Sequence, residues 1–312
     1  MDTERLGSAL VDRAWLGEVA DRYGAPAGTP ARVVATRSGA RLCRVGPVVV
    51  KIHHARTQPQ LLRTRLGFAA SAEAAASLLA PLSAAPEAAP EGLWASLWPC
   101  VEVADPEASA QPWVEAGAVL ASLHRTRLPD AAPSPSVPPG VPAPGRAVVL
   151  PPAAPQDRLR RALGRIAGRP HEPLLRPLGD ALLAELATVQ RSHRYAATPV
   201  HGDWHLGQLG RTPAGWRLLD IDDLGVGDPA HDLARPAGFW AAGLLDDASW
   251  EDLLGGYRAA GGPGVPPCGD PWPRLDVPAR LAVVTATCQA VAERDPEAED
   301  VAEALVGACG RM

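Results

Sequence analysis

The densest set of reactive side chains in this 312-residue chain is His201-Gly202-Asp203-Trp204-His205-Leu206-Gly207-Gln208, followed by Leu218-Leu219-Asp220-Ile221-Asp222-Asp223 and Gly227-Asp228-Pro229-Ala230-His231-Asp232. Three imidazoles and six carboxylates fall within these 32 residues. Taken alone, His201, Asp203 and His205 alternate, so on an extended segment they share one face and could bind a transition metal. With Asp220 or His231 as a further ligand and an open position for activated water, that set would make a metal-dependent hydrolase. A second singular feature lies far upstream. Of 30 basic residues 29 are arginine, Lys51 is the only lysine, and asparagine is absent. An ammonium and a guanidinium differ in size and donor geometry, so the one exception marks a position where the kind of cation matters.

These residues need elements to position them. Residues 3–23 predict a helix that stops at Gly24-Ala25-Pro26. The runs ARVVAT, RLCRVG and VVVKIHH, separated by Arg37-Ser38-Gly39-Ala40 and Pro47, predict an antiparallel meander with Lys51 late in its third strand. The alanine-rich segment after Gln58 predicts a helix or helix pair to about residue 82. GLWASLWPCVEV reads as one strand or as two joined near Pro99, and a helix follows from Gln111 to Pro129. Residues 129–156 are proline-rich with almost no periodicity and predict a surface loop or tether. Helical segments resume at 156–167 and 177–193, short β-like runs at Val200 and GWRLLDID carry the reactive cluster, and helices complete the chain. The expected organisation is α+β: a β-rich half over residues 1–98 and a mainly helical half over residues 99–312.

Composition narrows the partners. A net charge of −5 lacks the basic excess that nucleic acid or an anionic membrane surface would favour. The opening residues are charged throughout and no run of 18 apolar residues occurs, which predicts a cytoplasmic protein without a membrane partner. The five cysteines are widely spaced and form no CxxC pair, so neither a disulfide framework nor a thiolate zinc site is indicated.

The stretch from His201 to Ala234, with Lys51 upstream, resembles the aminoglycoside phosphotransferase-like small-molecule kinases, relatives of the protein kinases. In that family a His-Gly-Asp loop is followed, five residues after the aspartate, by an amide side chain and then by an aspartate ending a short strand. Here these are Asp203, Gln208 and Asp220. The resemblance implies a bilobal protein-kinase-like fold, with an N-terminal antiparallel sheet lobe carrying a helix and a larger, mainly helical C-terminal lobe. It implies ATP or GTP with Mg2+ as cofactors and a small-molecule hydroxyl as acceptor. Asp203 would orient that hydroxyl and take its proton, and Gln208 and Asp220 would hold magnesium. The usual amide is asparagine; Gln208 departs from it in the form that maltokinase-like members carry. His205 stands where relatives place a cation facing the transferring phosphoryl group. Lys51 would contact the α and β phosphates and pair with a helical glutamate, for which Glu73 is the candidate. Ser38 and Gly39 would lie in a nucleotide-covering turn, and Trp98 and Cys100 where adenine bonds to backbone. His201, Asp228 and Asp232 would brace the loops, with His124 a packed or capping residue.

Other readings remain open at this level. The hydrolase leaves Lys51 and Gln208 unexplained. A nucleotide-binding pseudokinase would account for Gln208 and for the lack of a Gly-rich loop. The acceptor is the least legible feature: Asp246, Asp247, Glu251, Glu293 and Asp295 could attract a cationic aminoglycoside or amino sugar, or form solvated helix faces. Trp204 and Trp240 could stack on a sugar or pack in the core.

Overall fold

The computed structural model describes residues 12–34, 40–105, 108, 110–128, 149–192, 198–293 and 299–312. The chain divides into two compact units after Glu102, against an expected break after Trp98. Among the described residues no helix is long and apolar enough to cross a membrane.

In the first unit, helix α1 (Arg13–Arg22) starts at Asp12, whose carboxylate accepts the N–H groups of Ala14 and Trp15 at 3.0 and 3.1 Å. The expected meander forms as β1 (Ala31–Val34), β2 (Arg41–Val45) and β3 (Val48–Ile52). After α2 (Pro59–Ala69), β4 (Glu87–Ala88) and β5 (Trp94–Pro99) complete a five-stranded antiparallel sheet in the order β1-β2-β3-β5-β4. Strand alternation explains its two faces. Val48, Val50 and Ile52 on β3 pack with Ala95 and Leu97 against Leu16, Val19 and Ala20 of α1. Val49 and Lys51 stand on the opposite face, in register with Trp98 and Ser96 of β5.

The helix expected to reach residue 82 ends at Ala69. Ser71 Oγ accepts the N–H of Ala74 at 3.3 Å, so its side chain takes a donor that continuing the helix would require. Residues 72–77 form turns, and Glu73 is exposed within them. The expectation of Glu73 as a helical partner for Lys51 is therefore corrected; α2 itself carries no carboxylate.

The chain continues through β6 (Glu102–Val103) into the second unit, with α3 (Trp113–Arg125), α4 (Pro155–Arg165) and α5 (Glu172–Ser192). Four short strands follow, β7 (Thr198–Val200), β8 (Leu209–Thr212), β9 (Gly215–Leu218) and β10 (Gly225–Gly227), and then α6 (Ala230–Ala241), α7 (Asp247–Ala259), α8 (Trp272–Glu293) and α9 (Glu299–Cys309). Leu159, Leu163, Leu175, Leu182, Val284 and Leu305 join α4, α5, α8 and α9 in one core. Helices α3 and α7 cross where Gly117 and Gly256 face each other's backbone, and a Cβ on either would overlap it. This close crossing carries His124 to Tyr257. The architecture is the expected α+β, protein-kinase-like pairing of an antiparallel-sheet unit bearing a helix with a larger, mainly helical unit.

Candidate active site

Strand β7 pairs antiparallel with β10 and runs directly into His201-Gly202-Asp203. That loop is hung on a buried carboxylate. Asp232, in the first turn of α6 and 2% exposed, accepts the N–H of His201 at 2.6 Å and of Gly202 at 2.8 Å. It also accepts His124 Nε2–H at 2.9 Å. The Tyr257 hydroxyl accepts the N–H of Gly264 and stands against His124 Nδ1, both at 2.8 Å, which fixes the orientation of the imidazole. Burial opposes charge on Asp232, but the hydrogen bonds from His124 and the loop amides outweigh it and hold the carboxyl below its ordinary range. His124, expected as a packed or capping residue, is a buried link in this chain.

His201 donates Nε2–H to the Leu219 carbonyl at 2.6 Å, and its Nδ1 accepts the Asp203 N–H at 3.4 Å. Both nitrogens are engaged, so His201 ties the loop to the residue before Asp220 and cannot ligate a metal. That removes the hydrolase set of His201, Asp203 and His205. Among the described residues no group of three His, Cys, Asp or Glu side chains is placed to hold a metal ion. Asp228 Oδ1 accepts the Ala230 N–H at 3.0 Å and pairs with Arg274 of α8 at 2.8 Å, which joins the start of α6 to α8.

Gln208 and Asp220 lie at the two ends of a hairpin. β8 pairs with β9 from Leu209↔Leu218, and the Gln208 carbonyl accepts the Leu219 N–H at 2.8 Å. Gln208 therefore stands opposite Leu219, and Asp220 follows one residue beyond that pairing. Asp220 has φ 53°, left-handed backbone that a non-glycine residue adopts at a cost. Its Oδ1 accepts the Asp222 N–H at 3.0 Å. Gly202, at φ 82°, lies so close to Asp223 that a Cβ would strike its carbonyl. The loop bearing Asp203 and the turn after Asp220 are thus packed on one another.

A cation that no sequence motif marks lies at Asp203. Arg158, in the first turn of α4, places Nη2 at 2.5 Å from Asp203 Oδ2 and Nη1 at 2.7 Å from the Gly202 carbonyl and 3.4 Å from Asp223 Oδ2. His205, by contrast, carries no charge at neutral pH. Burial, reinforced by the charge of Arg235, lowers its pKa to about 4. A cation facing a phosphoryl group at His205 would have to form against that shift.

In the first unit, Lys51 is 5% exposed on the sheet face opposite α1. Beside it lies a polar group that the sequence did not flag. The Ser96 hydroxyl stands 2.8 Å from His53 Nε2 and accepts the Trp98 indole N–H at 2.9 Å, with all three residues buried. Only the alternation of β3 against β5, unknown before folding, could have aligned them. Cys100 donates its N–H to the Pro47 carbonyl at 2.7 Å, which commits that donor to the sheet rather than to a purine. Ser38 and Gly39 lie outside the described residues.

Two of the candidate acceptor carboxylates have structural partners. Asp246 caps α7 through Ser249, and Asp247 accepts the Trp240 indole N–H at 2.7 Å. Glu251 and Glu293 are exposed, and Asp295 lies outside the described residues. Trp204 is buried edge-on to Trp113, whereas Trp240 is stacked between Trp250 and Trp272 at 5.8 and 5.9 Å.

Solved structures share this fold. An amicoumacin kinase aligns at 14% identity over 90% of this chain and 88% of its own, with a TM-score of 0.62. A choline/ethanolamine kinase family protein from Mesorhizobium loti aligns at 15% identity over 96% and 92%, with a TM-score of 0.57. An aminoglycoside phosphotransferase from Streptomyces rimosus aligns at 21% identity over 87% and 97%, with a TM-score of 0.56. No curated protein matches the chain by sequence. The family model described as the phosphotransferase enzyme family matches residues 25–275, and the chain belongs to that family.

Proposed function

We propose that this chain is an ATP- and magnesium-dependent phosphotransferase that moves the γ-phosphate to a hydroxyl of a small molecule such as an aminoglycoside, an amino sugar or a sugar. The observation that carries this reading is the convergence in the second unit. Asp203 sits on a loop suspended from Asp232, while Gln208 and Asp220 flank the open end of the β8–β9 hairpin that follows it. An amide oxygen and a carboxylate form a hard donor set that suits magnesium. Magnesium bound there would neutralise charge on the phosphates. Asp203 orients the acceptor hydroxyl and receives its proton. Lys51, buried on the first unit's sheet, supplies the ammonium for the α and β phosphates. Gln208 keeps the oxygen ligand of the more usual asparagine on a longer stem.

The test is nucleotide consumption with magnesium across aminoglycosides, amino sugars, maltose and amino alcohols, with ATP and GTP compared and Asp203→Ala as the blank. Turnover is expected with one acceptor class, and Asp203→Ala should lower it by about 10²–10⁴-fold with nucleotide affinity largely kept. Asp220→Ala should weaken magnesium-dependent nucleotide binding. Wild-type rates in either variant would overturn the assignment. Nucleotide binding without turnover on any acceptor would favour the pseudokinase.

A further inference from the structure

We infer that Arg158 is the positioning residue for Asp203 in this transfer, holding one carboxylate oxygen so that the other faces the acceptor hydroxyl. The inference rests on the phosphotransferase reading and extends it to a residue that no sequence motif marks. Arg158 grips three acceptors of the site at once: Asp203 Oδ2, the Gly202 carbonyl and Asp223 Oδ2. Among the described residues Asp203 Oδ1 has no hydrogen-bond partner, so the grip leaves one oxygen for substrate.

The approach of Arg158 is built into the chain. Leu150 is buried, the Pro151 carbonyl accepts the Val226 N–H, and Ala153 returns its N–H to the Val226 carbonyl, both at 2.8 Å. This arm lies along β10, which pairs with the β7 strand that enters the Asp203 loop. Pro155 then starts α4, and Arg158 falls in its first turn. A cation there opposes the helix dipole, so local preference does not explain it. Stability explains it poorly too. The Arg158 side chain is 21% exposed and its partners Asp203 and Asp223 are 35% and 40% exposed, and ion pairs with carboxylates this open to water add little to folding stability. What the pair does provide is orientation. A planar guanidinium anchored also on the Gly202 carbonyl and Asp223 pins Asp203 Oδ2 in a way that a mobile ammonium would not.

In the transfer the acceptor oxygen forms a bond to the γ-phosphorus. The bond from that phosphorus to the bridging oxygen breaks, its electron pair leaves on ADP, and the hydroxyl proton passes to Asp203 Oδ1. Arg158 exchanges no proton. It keeps Oδ1 aimed at the hydroxyl.

The experiment compares Arg158→Ala, Arg158→Lys and Arg158→Ala/Asp203→Ala in the full chain, using the acceptor found active. Melting curves check folding. Arg158→Ala should lower kcat by about 100-fold and leave both KM values within about threefold. Added guanidinium should restore part of the rate to Arg158→Ala and none to Asp203→Ala. Arg158→Lys should fall between wild type and Arg158→Ala, and the double variant should be no slower than Asp203→Ala alone. An unchanged or raised kcat in Arg158→Ala, an equal loss in both KM values, or a loss that guanidinium does not relieve would overturn the inference while wild-type turnover kept the phosphotransferase reading intact. A wild type silent on every acceptor would instead overturn that reading, and this one with it.

Discussion

At the scale of single residues, two neighbouring groups divide the electrostatic work around Asp203. Arg158 brings the permanent charge, and His205 stays uncharged because burial and Arg235 oppose its protonation. The depressed pKa, about 4 against an ordinary 6.5, has a consequence for stability. Below pH ~6.5 the unfolded chain gains a proton at this histidine that the folded chain refuses. The stabilisation linked to neutral His205 is therefore complete above that pH and is lost as pH falls through about 4. Its full extent is ~3 kcal/mol. Thermal melts from pH 7 to 4.5 should show a steeper decline for wild type than for His205→Gln; parallel declines would show that the imidazole titrates normally. Asp220 belongs to the same scale. A left-handed aspartate is retained at a cost, and it sits at the position proposed to bind metal.

At the scale of elements, the site depends on helices meeting at one side chain. Asp232 belongs to α6, receives His124 from α3, and carries the backbone of the loop between β7 and the β8–β9 hairpin. Truncating it would leave two loop N–H groups and the His124 donor without an acceptor in a buried place. Asp232→Ala is expected to cost ~3 kcal/mol or more in denaturant-measured stability and to lower turnover even where the protein still folds. A loss below ~1 kcal/mol would mean that water replaces the carboxylate. The α3–α7 crossing at Gly117 and Gly256 serves the same end, because it is what brings Tyr257 to His124.

At the scale of the whole molecule, each unit has its own core and its own share of the proposed chemistry: Lys51 in the first, Asp203, Gln208 and Asp220 in the second. Nucleotide binding should register as folding stability. Magnesium-ATP at about 100 times its Kd should stabilise the protein by ~2.7 kcal/mol, visible as a raised Tm, and Lys51→Ala at the same concentration should lose most of that rise. An undiminished shift would show that the lone lysine does not meet the nucleotide. Much of this was legible beforehand because it is local. The β1–β3 meander follows from alternation and turn residues. The hairpin between Gln208 and Asp220 follows from short spacing, and the singular Lys51 follows from composition. Local rules failed where a side chain competed with backbone, as at Ser71, which ended α2 early and left Glu73 in a turn. They were silent where distant segments meet. Arg158 comes to Asp203, His124 to Asp232, and Ser96 between His53 and Trp98, through contacts that span tens of residues. The sequence by itself determined most of the elements and singled out the His201–Asp232 cluster, because turn, strand and motif spacings are short-range properties. Tertiary structure alone decided which oxygen of Asp203 is held, which histidine stays neutral and which carboxylate suspends the loop, because those depend on burial and on partners that only the packed chain supplies.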